Sequence, residues 1–95
     1  MLKIDIEQLK NEWEQQGMVC EIWELKPGSA WSDPGHQTDE VFIPLEGQIQ
    51  VSCQGKTFLA GVGEVIEVPA REPHEVNNIG EITTRVYWIH HPNFA

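Results

Sequence analysis

The spacing of apolar residues divides the chain at Gly17. Before it, Ile6, Leu9 and Trp13 fall at i, i+3 and i+7, which is one face of an amphipathic helix. Asp5 is placed to cap the start of that helix, and Gly17 to stop it. After Gly17 the pattern changes: short runs rich in Val, Ile, Phe and Trp alternate with Gly and Pro at strand-and-turn intervals. This predicts strands over 18–26, 40–45, 48–53, 56–60, 65–68, 74–77 and 83–90. In 48–53, Ile49, Val51 and Cys53 alternate with Gln48, Gln50 and Ser52, the mark of a half-buried hairpin arm. The segment 40–45 differs, being apolar on both faces: Glu40 shares one with Phe42, while Val41, Ile43 and Leu45 share the other.

Seven or so short strands joined by tight turns predict an all-β sandwich or barrel, since closure removes exposed sheet edges. With 95 residues the chain has room for one domain, and 40% apolar content including four tryptophans is enough to build its core. The expected organisation is a helical segment, 1–17, packed on a barrel formed by 18–95. The outward apolar face of Val41, Ile43 and Leu45 needs a cover, from the amino-terminal segment or from a second subunit, and a homodimer is the resulting expectation.

Six basic against fifteen acidic residues give a net charge of −9, a field that repels nucleic acid and anionic membrane surfaces. No run approaches the ~20 apolar residues that span a bilayer, and no basic-then-apolar leader opens the chain, so a cytoplasmic location is expected. Cys20 and Cys53 lack the spacing of a redox or zinc pair and read as reduced, structural thiols.

Candidate chemistry gathers at two turns. His36 and Glu40 flank a loop-to-strand junction, and His74 follows a second, proline-rich turn. Two imidazoles and a carboxylate, if they converge, form a face that holds a divalent first-row metal with positions left open. Scattered His and Glu residues in turns are more often merely solvated, so the residues alone leave both readings standing. Trp31 reads as a loop aromatic able to stack on a substrate or close a barrel mouth. His90 and His91 are adjacent on a strand, point to opposite faces and read as a partly exposed terminal pair.

The order and spacing of these residues resemble the cupin superfamily. Gly28, His36, Glu40 and Gly47 are in register with its first motif, G-x5-H-x-H-x3,4-E-x6-G, with Pro34 in place of the first histidine. Gly63, Pro69, His74 and Asn78 match the second, G-x5-P-x-G-x2-H-x3-N, with Arg71 where its second glycine belongs. The resemblance implies a small jelly-roll β-barrel of the conserved-barrel, type 2 kind, often dimeric, with any metal inside it. It assigns His36, Glu40 and His74 as metal ligands, for Fe, Mn, Ni or Zn, and places Glu40 and Phe42 toward a small-molecule pocket to which Trp31 belongs. A carboxylate buried there requires a partner, and a metal, Arg71 or Arg85 could each supply it.

The implied function is that of a small cupin holding one divalent metal and acting on or binding a small molecule, by oxygenase- or isomerase-like chemistry. Pro34 favours the alternative, a metal-free small-molecule-binding module, and a purely structural or protein-interaction barrel is the third reading.

Overall fold

The computed structural model describes residues 5–92. A helix, α1 (Ile6–Glu14), is followed by eight strands: β1 (Val19–Leu25), β2 (Ala30–Asp33), β3 (Glu40–Pro44), β4 (Gln48–Cys53), β5 (Lys56–Gly61), β6 (Ile66–Val68), β7 (His74–Asn77) and β8 (Thr84–His90). They form two antiparallel four-stranded sheets, ordered β1-β8-β3-β6 and β2-β7-β4-β5, which face each other as a jelly roll. Among the described residues no helix is long and apolar enough to cross a membrane.

The strand missing from the sequence pattern is β2. It is only four residues long, enclosed by Gly28 and Pro34, and its exposed Ala30 and Ser32 alternate with partly buried Trp31 and Asp33. Trp31 is therefore a strand residue and not a loop aromatic. Pairing with β7 sets Asp33 directly opposite His74.

The alternation read in β3 decides how the core divides. Phe42 points inward to a cluster with Leu25, Ile49, Val51, Ala60, Ile66, Val68, Val76 and Val86. Val41, Ile43 and Leu45 point outward with Tyr87 and Ile89, and Ile6, Leu9, Trp13, Met18 and Cys20 lie over them. Of the two covers considered for this face, the amino-terminal one is in place. Asp5 caps α1 by accepting a hydrogen bond from the Gln8 backbone N–H, and the Tyr87 hydroxyl donates to the Ile6 carbonyl, pinning the helix to the sheet.

Two further devices close the ends. Asn78, buried, donates through Nδ2 to the carbonyls of Leu25 and Ile82 and accepts from the Gly80 N–H, satisfying loop groups that would otherwise be buried unpaired. At the β3–β4 turn, the Arg85 guanidinium donates to both oxygens of Glu46, at 2.8 and 2.9 Å. The Arg85 hydrogen bond holds the Glu46 carboxyl below its ordinary value near 4.5. The pair therefore stabilises the fold above that value, and its contribution disappears as pH falls through the lowered one. Both side chains are partly exposed, so the effect is small. Denaturant melts of wild type and Glu46→Gln should differ at neutral pH and converge as pH falls through that lowered value; a difference that persists in acid would show that the ionised carboxylate is not its source.

Both cysteines are unpaired thiols. Burial first, then the negative charges of Glu14 at Cys20 and Glu72 at Cys53, pushes both thiols up, which keeps them protonated and suits packing rather than nucleophilic work.

Candidate metal centre

The site lies between the sheets, and each of its side chains is held by a different backbone constraint. Glu40 opens β3, flanked by Val68 of β6 and His90 of β8, and is 2% exposed. His74 opens β7, between Asp33 of β2 and Cys53 of β4. His36 sits on the loop joining β2 to β3, whose position is fixed when the Arg71 backbone N–H donates to the His36 carbonyl at 2.6 Å.

Glu40 is the hub. Its Oε1 lies 2.8 Å from His36 Nε2 and its Oε2 lies 3.3 Å from His74 Nε2. The three residues singled out in the sequence are thus brought together. The structure adds a fourth that the sequence reading missed: Asp33 Oδ2 is 2.7 Å from His36 Nε2, and donor atoms of Asp33, His36 and Glu40 all lie within 4.8 Å of one another. The other Asp33 oxygen accepts from the Gly35 N–H at 2.8 Å, which fixes the carboxylate's orientation. Asp33 immediately precedes Pro34, the position where the motif places a histidine. The signal available was the residue type beside the substituted position; without β2, nothing indicated that it faces inward.

Arginine does not satisfy Glu40. Arg85 is engaged by Glu46, and the ion pairs of Glu40 among the described residues are those with His36 and His74. Those contacts are close but poorly directed: neither Glu40 oxygen, nor His74 Nε2, makes a hydrogen bond of acceptable geometry. His74 Nδ1 lies 3.0 Å from the Glu72 carbonyl. A carbonyl only accepts, so Nδ1 carries the proton, and in the neutral ring Nε2 turns its lone pair toward a carboxylate oxygen. Two lone pairs facing each other in a buried space are unfavourable unless a proton or a metal cation lies between them. A backbone carbonyl that fixes the tautomer in this way is the usual partner of a metal-ligating histidine. Donors held at ~2.1 Å from one ion lie about 3 to 3.4 Å apart, within a few tenths of an ångström of the spacings found here. Asp33, His36 and Glu40 fit a divalent ion together, whereas His74, set against the other Glu40 oxygen, lies outside that tight group.

Beside this centre is a cavity of about 220 Å³ lined by Trp23, Trp31, Asp33, His36, Phe42 and Trp88. Trp31 and Phe42, the expected pocket residues, form one wall with ring centroids 5.4 Å apart. Trp23 and Trp88 line it too. His90 departs from the expected exposed pair: it is buried, lies 4.2 Å from the Trp88 ring centroid, and its Nε2 is 2.7 Å from Glu21 Oε2, whereas His91 is exposed. Burial follows from the register, which places His90 beside Glu40 on the inner face.

Arg71, the other departure from the motif, keeps the conformation that glycine would take there, with φ of 64°. A side chain in this region costs about 1–2 kcal/mol, partly offset because glycine loses more freedom on folding. Arg71→Gly is expected to stabilise the fold by about 0.5–1 kcal/mol, seen as a rise of a few degrees in thermal denaturation. A fall would mean that the arginine side chain contributes packing that outweighs the strain.

Comparison with known proteins agrees with this architecture. The chain is similar to the uncharacterized protein MJ1618 of Methanocaldococcus jannaschii, 23% identical over 60 residues, which are 63% of this chain and 48% of the relative. It thus spans about half the length of that relative. Among solved structures it is similar to the plu4264 protein from Photorhabdus luminescens, with a TM-score of 0.74 and 20% identity over 79% of this chain and 62% of the other. It is also similar to FeII HppE in complex with substrate, with a TM-score of 0.68 and 20% identity over 79% of this chain and 46% of the other. At these identities the structural likeness speaks for the fold alone. The family model described as Cupin domain matches residues 21–90, and the chain belongs to the cupin family.

Proposed function

We propose that this cupin binds one divalent metal ion through His36, Glu40 and His74, with Asp33 as a fourth ligand, and binds or transforms a small molecule in the adjoining aromatic cavity. The observation that carries the reading is the buried Glu40 carboxylate, whose two oxygens lie against two imidazoles without a directed hydrogen bond. Asp33 supports it by supplying a ligand beside the position that Pro34 vacates.

When bound, the ion supplies a Lewis acid able to orient a substrate oxygen or to promote oxygenase- or isomerase-like reactions. The chain's own part is to hold the ligands rigidly, since three of them sit on strands, and to wall the neighbouring space with Trp31 and Phe42. Isothermal calorimetry of the chelator-stripped protein with Fe(II), Mn(II), Ni(II) and Zn(II) tests the reading. One equivalent of at least one of these ions per chain is expected, and no saturable uptake of any would overturn it.

A further inference from the structure

The walls of the cavity identify the kind of ligand it suits. Trp23 lies 6.2 Å from Trp31 and 6.1 Å from Trp88 between ring centroids, at interplanar angles of 48° and 72°, and Trp31 lies 5.4 Å from Phe42 at 56°. These rings pack tilted or edge-to-face against one another, and the same four residues line one side of the cavity. That space, about 220 Å³, is smaller than the roughly 300–1,000 Å³ of pockets for drug-sized ligands. At about 30 Å³ per water-sized group it takes roughly seven heavy atoms. Its polar lining consists of the Asp33 carboxylate and the His36 imidazole, with no lysine, arginine or amide side chain to meet an anion. The whole chain carries a net charge of −9, which draws cations toward its clefts.

We propose that this cavity binds a methylated ammonium head group against the aromatic rings of Trp23, Trp31, Trp88 and Phe42. The physical basis is the negative quadrupole of an aromatic face, strongest for tryptophan, which attracts a cation that carries too little hydration to resist desolvation. A quaternary ammonium also presents a methylated, apolar surface to the rings, so it gains from burial as well as from charge. Trp23 is 48% exposed and forms the rim, so a ligand reaches the cage without opening the core. The inference rests on the cavity being the ligand site of the function proposed above, and it names the class of ligand for that site.

The test separates charge from shape and from metal. Choline and its uncharged isostere 3,3-dimethylbutan-1-ol are titrated into chelator-stripped and metal-loaded protein, followed by tryptophan fluorescence and calorimetry. Choline is expected to bind at least ten-fold more tightly than the isostere and to perturb tryptophan emission. Trp23→Leu and Trp31→Leu keep apolar bulk while removing the aromatic face, and each should weaken choline at least ten-fold while leaving the isostere nearly unaffected. Trp23→Leu, at the exposed rim, keeps the comparison available if Trp31→Leu fails to fold. Equal affinity for the two compounds, undiminished choline binding in Trp23→Leu, or no binding of choline to either form of the protein overturns the proposal. Choline selectivity without metal uptake would leave the cage standing and remove the metal reading; metal uptake without choline selectivity would do the reverse.

Discussion

Replacing Glu40 with glutamine is expected to abolish the thermal stabilisation that divalent metal confers on the wild-type chain. The substitution keeps the volume and shape of a side chain that is 2% exposed, so packing against Val68 and His90 is retained. What it removes is the negative charge and one of the two oxygens that face His36 and His74. Loss of a partner that merely orients a ligand costs about 10- to 100-fold in metal affinity, and loss of a ligating carboxylate should cost at least the upper figure. With metal at one hundred times the wild-type Kd, binding stabilises the wild type by about 2.7 kcal/mol; a hundred-fold weaker site retains only about 0.4 kcal/mol. For a domain of this size, that separates a rise of about 10–20 °C from one of about 2–3 °C. Without metal the two proteins should melt within a few degrees of each other, because the amide ends the exposure of a buried charge to facing lone pairs. A full metal-induced shift in Glu40→Gln would place the ion elsewhere.

Much of this centre could be read from residue order because β-structure makes its local geometry periodic. Alternation along 40–45 put Glu40 with Phe42 and set Val41, Ile43 and Leu45 on the other side, and the two core clusters divide along that line. The helix was equally plain, since its three apolar positions are those that pack over Val41 and Ile43. What periodicity does not carry is pairing between distant strands. β2 is too short and too heavily punctuated to show an alternation, so neither the inward turn of Asp33 nor its place opposite His74 could be seen. The burial of His90 is hidden for a related reason. Its place near the end of the chain suggested exposure, while its actual neighbours, Glu40 across the sheet and Glu21 on β1, are set by register.

The two departures from the cupin motifs also acquire different meanings once the backbone is known. Pro34 removes a ligand, and the residue before it brings a carboxylate to the same imidazole. Arg71 changes the side chain yet preserves the left-handed backbone, so the N–H that seats His36 remains in place. The motif positions describe chain geometry as much as chemistry, which is why Asn78 persists as a knot of three hydrogen bonds with no part in the metal centre.

Gly35→Ala is expected to damage both the fold and the site, because this glycine is where the two motif loops touch. Its φ is 106°, a conformation that L side chains rarely adopt. A Cβ there would lie 2.6 Å from the backbone carbon of Arg71 and 2.9 Å from both the Arg71 Cα and the Glu72 nitrogen. These are main-chain atoms and cannot swing aside as the end of a side chain could. Relief requires the 34–39 loop to separate from the turn at 69–73, which lengthens the Arg71-to-His36 hydrogen bond and displaces the Gly35 N–H from Asp33. Backbone strain of about 1–2 kcal/mol and overpacking of about 1–3 kcal/mol combine to roughly 3 kcal/mol, a fall of about 12–24 °C in melting temperature. Metal affinity should fall about ten-fold or more as His36 and Asp33 move, since ligand orientation is lost while all four donors remain in the chain. The contrast with Arg71→Gly is the sharper part of the expectation: two substitutions on opposite sides of one backbone contact should shift stability in opposite directions. Paired thermal melts decide it, and a Gly35→Ala protein as stable as wild type, with unchanged metal affinity, would show that the loops do not hold the site through this contact.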